Sequence, residues 1–84
     1  MILKIYSVYD SKTDAYVAPM FFQTKGQALR TFAEVANDKN HQIGKYSEDF
    51  TLFVIGEFND SNCKFTVYDA PYSLGLALEF VKNT

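Results

Sequence analysis

A chain of 84 residues is expected to form one domain. One cysteine excludes an intrachain disulfide, and one histidine beside it leaves too few soft ligands for a structural zinc, which takes four. A formal charge of −2, with both signs scattered along the chain, argues against strong non-specific binding to a phosphate backbone, which Lys and Arg drive.

Ile2 to Tyr9 reads as a strand of β-branched and aromatic residues with Lys4 and Ser7 as polar breaks. Asp10 to Asp14 is a turn by composition, and Ala15 to Phe22 is the returning strand. Its alternation places Tyr16, Ala18, Met20 and Phe22 on one face. Pro19 cannot donate to a ladder, so this strand is expected at an edge or bulged. Thr24 and Gln27 have the spacing of a capping box, and Ala28, Leu29, Phe32, Ala33 and Ala36 form an apolar stripe at helical period. Arg30 and Glu34 are four apart on its surface. Asn37 to Asn40 ends the helix, and His41 to Asp49 reads as a loop.

Phe50 to Phe58 is the strongest strand pattern in the chain. Phe50, Leu52, Val54, Gly56 and Phe58 alternate onto one face, and Thr51, Phe53, Ile55 and Glu57 onto the other. Asn59 to Asn62 makes a turn, and Cys63 to Tyr68 returns. Pro71 interrupts the pattern, and Ser73 can cap a short final helix through Lys82, with Leu74, Ala77, Leu78 and Val81 as its stripe. The expected architecture is α+β with the order ββαββα, a four-stranded antiparallel sheet with two helices on one face. Thr24, Gly26, Ala28 and Leu29 recur as Ser73, Gly75, Ala77 and Leu78 at one offset of 49 positions. That recurrence fits an internal ββα duplication, and it also fits two ββα units that merely look alike.

Eight Phe and six Tyr are a heavy aromatic load for this length. Two helices cover one side of such a sheet, so the other side exposes some of Tyr6, Val8, Phe53, Ile55, Phe65 and Val67. Contiguous apolar patches mark interfaces, and a second copy of the chain is the simplest cover. A homodimer is therefore expected.

Catalytic chemistry has little support. His41 stands in a polar loop, Cys63 stands beside a turn, and no Gly-x-Ser-x-Gly elbow is present. Cys63 reads as a small buried or half-buried hydrophobe. The carboxylates Glu48, Asp49 and Asp60 lie in loop and turn sequence, and no twelve-residue calcium loop surrounds Asp10, Asp14 or Asp60. No cofactor and no metal are expected. Glycine in the first turn at Thr24-Lys25-Gly26 and Ser73-Leu74-Gly75 suits an anion at a helix start, but close packing on the sheet explains it better. Basic residues do occur among aromatics, as single-stranded nucleic acid requires. Lys12, Lys25, Arg30, Lys45 and Lys64 are the candidate phosphate contacts, and Tyr6, Tyr9 and Tyr46 are the candidate stacking residues.

Several segments resemble one known family. Tyr9 to Lys12, Gln23 to Ala28, Phe50 to Phe53, Gly56 to Asn62, Lys64 to Thr66 and Ser73 to Gly75 resemble the small nonstructural protein of gokushoviruses, single-stranded-DNA phages of the Microviridae. The resemblance covers nearly the whole chain in order. It implies an early, non-virion protein acting in genome replication or single-stranded DNA production, with single-stranded DNA or a phage replication protein as partner. It brings no catalytic motif. The alternative is a non-catalytic protein-interaction module that regulates viral or host factors without touching nucleic acid. No leader pattern opens the sequence, no apolar run approaches the roughly 20 residues of a membrane span, and a lone free cysteine fits a reducing compartment. The expected location is the host cell cytoplasm, away from membranes.

Overall fold

The computed structural model describes residues 1–82. Strand β1 (Ile2–Asp10) turns through Ser11–Asp14 into β2 (Ala15–Tyr16) and β3 (Met20–Phe22). Helix α1 (Lys25–Ala36) and the short α2 (Gln42–Lys45) follow, then β4 (Phe50–Asn59), β5 (Lys64–Leu76) and a 3-10 turn over Ala77–Phe80. All strand pairings are antiparallel. β2 and β3 lie on one side of β1, and β4 then β5 lie on the other. The molecule is a mixed α and β fold built on an antiparallel sheet.

The expected second strand is present but broken. Tyr16 pairs with Tyr9 and Met20 with Tyr6, with Val17, Ala18 and Pro19 between them. Only Val17 keeps a ladder bond across the gap, donating to the Val8 carbonyl at 2.9 Å. Proline lacks the donor that a continuous edge would need. The break changes phase, so Tyr16 points away from Met20 and Phe22 instead of sharing their face.

Helix α1 starts where its sequence signals. The Gln27 amide donates to Thr24 Oγ1 at 3.1 Å, and the Thr24 amide donates to Gln27 Oε1 at 3.3 Å. Ala28, Phe32 and Ala36 form the buried stripe. They pack on Tyr6, Val8, Phe50, Leu52, Ile43 and Ala77. Glycine in its first turn is not there for packing, because a Cβ at Gly26 would meet nothing nearer than Thr24 Oγ1 at 3.9 Å. Arg30 and Glu34 form no ion pair.

Two sequence expectations fail at the C-terminal side. Ser73 caps no helix. It lies in β5 opposite Phe53, and Tyr72 and Leu76 pair with Val54 and Thr51. Gly75 has φ of +138°, which an α-helix cannot use. Pairing with β4 outweighs the local helical pattern, and only the 3-10 turn remains, with Ala77 buried and Leu78 exposed. The two ββα halves are thus not alike in structure: the first ends in a capped helix and the second in a strand. The second helix lies instead at Gln42–Lys45, inside the expected loop.

The sheet is bulged twice on the β4–β5 side. Val54 pairs with Tyr72 and Gly56 with Val67, so Tyr68–Pro71 oppose the single residue Ile55. Against β1, Ile5 pairs with Gly56 and Tyr6 with Val54, so Ile55 is an extra residue on β4 and reverses its phase. Phe50, Leu52 and Val54 face α1, whereas Gly56 and Phe58 turn to the other side. The Cα radius of gyration is 13.2 Å, against roughly 12 Å for a compact chain of this size. The molecule is elongated, with principal extents of 44 × 25 × 18 Å.

Candidate functional site

Antiparallel partners share a face, and the registers assign every strand residue to one of two sides. One side carries Tyr6, Val8, Met20, Phe22, Leu52 and Val54 and is covered by α1. Among the described residues no helix covers the other. β1 contributes Leu3, Ile5, Ser7 and Tyr9 to this open side, and the edge segments contribute Tyr16 and Phe21. β4 contributes Thr51, Phe53, Gly56 and Phe58, and β5 contributes Phe65, Val67, Ser73 and Leu76. None of these residues is charged, and six are aromatic.

The aromatic rings gather in two groups. Phe21 lies 5.6 Å from Phe58 and 6.3 Å from Phe65, and Phe58 lies 4.7 Å from Phe65, centroid to centroid. Phe21 and Phe65 come from opposite edges of the sheet, so the sheet curls towards this side. Tyr16 lies 5.1 Å from Tyr9 and 5.8 Å from Phe53. Beneath the rings Ile5 and Ser7 are buried, and the Ser7 hydroxyl donates to the Val17 carbonyl at 2.7 Å. The ring edges remain in solvent. Phe65 is 56% exposed, Val67 72%, Tyr16 48% and Phe21 44%. Phe65 and Val67 were expected on an exposed side. Phe53 and Ile55 are half-buried, and Tyr6 and Val8 belong to the helix side instead.

The candidate nucleic-acid residues are scattered. Tyr6 is buried to 1% exposure, stacks edge-on against Phe22, and cannot receive a base. Burial also raises its phenol pKa above the ordinary value, since the charged form is desolvated. Tyr9 is half-buried in the aromatic face and donates its hydroxyl to Asp14, which raises its pKa. Tyr46 is exposed and shares a shallow cleft with Lys12, but Asp10, Glu48 and Asp49 line the same cleft. Lys25 lines a different concavity with Lys4, Tyr68 and Tyr72. Arg30 lies along α1, Lys45 ends α2, and Lys64 opens β5 at the far hairpin. Lys12, Lys25, Lys45 and Lys64 stand away from the aromatic face, whereas Arg30 shares a concavity with Phe21 and Phe22 at its edge.

A polar triad closes the helix side near that concavity. Lys4 Nζ donates to Glu57 Oε2 at 2.7 Å and to Tyr68 Oη at 3.0 Å, and Tyr68 donates to Glu57 at 2.9 Å. The bulge in β5 brings Tyr68 over this pair. The Glu57 carboxylate, then the Tyr68 hydroxyl, hold the Lys4 ammonium well above its usual pKa, and Lys4, then Tyr68, hold Glu57 below the carboxylate range. Lys4 is therefore neutralised within the fold. Beside α1 a second, apolar cavity of about 300 Å³ opens where the edge strand is broken, lined by Val17, Met20, Phe22, Phe32 and Ile43.

Cys63 is exposed rather than buried. It takes φ of +59° in the β4–β5 turn, which needs a left-handed residue just before β5. His41 caps α2, its Nδ1 accepting from the Ile43 amide at 3.1 Å. It lines the cavity beside Leu52, roughly 20 Å of strand away from that turn. Among the described residues no three His, Cys, Asp or Glu side chains gather into a metal-holding group, and no helix is long and apolar enough to cross a membrane.

A family model described as "Phage ORF5 protein" matches residues 3–80, the span that builds the whole sheet and its helices. The chain belongs to the phage ORF5 protein family. No curated protein and no solved structure matches it. Membership makes this a phage protein, and the matched span includes both strands of the aromatic hairpin. Phe21 and Phe58 were not legible as part of the face. Their only signals were Pro19, which marks the edge break, and the polar–apolar alternation of Lys64, Phe65, Thr66 and Val67, which marks one amphipathic hairpin.

Proposed function

We propose that this ORF5-family chain is a non-catalytic accessory protein of a gokushovirus that acts by docking protein on its aromatic sheet face. It works in the host cytoplasm, on viral or host factors of genome replication. One observation carries the reading: six aromatic residues and no charged residue alternate onto the uncovered side of the sheet. Protein interfaces are depleted of charge at their centre and enriched in aromatic side chains. A groove for single strands needs stacking rings and cations on one surface, and here no strand position of the face is basic, with Arg30 reaching no further than its Phe21 edge.

Single-stranded DNA binding is the second reading. It draws support from the concavity of about 440 Å³ where Lys25 stands near Tyr68 and Tyr72, the latter 65% exposed. Fluorescence anisotropy with short single strands at low salt separates the two. The docking reading expects no binding at tens of micromolar protein. Salt-sensitive binding that Tyr72→Ala or Lys25→Ala abolishes would replace it with the second.

A further inference from the structure

We infer that the occupant of the aromatic face is a second copy of the same chain, packed face to face about a twofold axis near Phe65 and Val67. The inference rests on the docking reading and names its partner. A twofold interface sets each patch against itself, so any charge near the axis meets its own copy. This face carries no charge on any of the four strand ribbons and escapes that penalty. The opposite side of the same hairpin presents Glu57, Asn59, Lys64 and Thr66 and does not.

The area reaches the needed range. β1 and β4, nine and ten residues long, with β5 beyond β4 and the short β2 and β3 beyond β1, give a face on the order of 30 Å by 19 Å when laid flat, or at most roughly 600 Å² per copy. Two copies would bury up to about 1,200 Å², the lower bound for a specific, stable interface. The most exposed apolar residues of the face, Val67 and Phe65, lie together on β5. Closing two such faces gives paired sheets with helices outermost, the layering that antiparallel sheets commonly reach. A single copy, by contrast, leaves Phe65, Val67, Tyr16 and Phe21 of this side in solvent.

Light scattering across a micromolar concentration series tests this, with circular dichroism to report the fold. Wild type should reach twice the 9.6 kDa chain mass. Val67→Glu, at a site 72% exposed in one copy, should leave the monomer folded and weaken the dimer on the order of 100-fold by setting like charges together. Val67→Ser, which adds no charge, should weaken it less; it serves if the Glu variant misfolds. A wild type that stays monomeric overturns the inference. So does a dimer that both substitutions leave intact, which would place the contact on the open edge of β5. Neither result touches the docking reading, which the DNA titration decides.

Discussion

Gly56→Ala is the sharpest single perturbation of this fold. Gly56 sits on the aromatic face opposite Ile5 and Val67, just past the bulge at Ile55. A Cβ built there would lie 2.3 Å from the Thr66 carbonyl oxygen and 3.2 Å from the Val67 Cα. Both are backbone atoms, so no side chain can swing aside. Thr66 would have to withdraw by about 1 Å to regain an ordinary contact. That movement strains the Glu57–Thr66 and Gly56–Val67 pairs and loosens the hairpin carrying Phe58, Phe65 and Val67. Overpacking of this kind costs about 1–3 kcal/mol. At about 4–8 °C per kcal/mol for a domain of this size, a 2 kcal/mol loss lowers Tm by about 8–16 °C. Thermal unfolding followed by far-ultraviolet circular dichroism measures it. Gly26→Ala is the control: its Cβ has open space in an exposed first helical turn, and it should stabilise by about 0.5 kcal/mol. If Gly56→Ala melts at or above wild type, the close approach of β5 to Gly56 is wrong.

Thr24→Ala should cost about 1 kcal/mol in a denaturant melt, because it removes a formed capping box, whereas Ser73→Ala should be near neutral at its exposed strand position. Tyr6→Ala should cost about 3–5 kcal/mol as a core truncation, while exposed Tyr46→Ala should stay within about 0.5 kcal/mol. The Lys4–Glu57–Tyr68 triad makes a pH prediction. Glu57 is lowered in the fold, so its contribution is present above the ordinary value of 4.5 and is lost as pH falls through the folded value. Melts of wild type and Glu57→Gln should therefore differ at neutral pH and converge as pH falls below 4.5; a constant gap would count against the triad.

Much of the local structure was legible before any tertiary contact. The capping box at Thr24 and Gln27 sets the start of α1 through bonds three residues apart, and sequence spacing alone encodes such bonds. The stripe of Ala28, Phe32 and Ala36 follows from helical period, and the edge position of the broken second strand follows from the missing donor of Pro19. The scarcity of soft ligands and the uncovered second side of the sheet are also readable from residue types. What only the tertiary structure decided concerns register and competition between distant segments. The bulge that inserts Ile55 between the Tyr6–Val54 and Ile5–Gly56 pairs reverses the alternation of β4, and no local pattern records where that extra residue falls. That reversal moves Phe58 from the helix side to the open side and places it against Phe21 and Phe65. Tyr72–Leu76 reads as the start of a helix until β4 lies beside it, because ladder bonds to residues about twenty positions earlier outweigh a short segment's helical tendency. The same physics separates the cations from the aromatics: neighbours in sequence such as Lys64 and Phe65 point to opposite sides of a strand, and only the paired sheet shows which side is left bare.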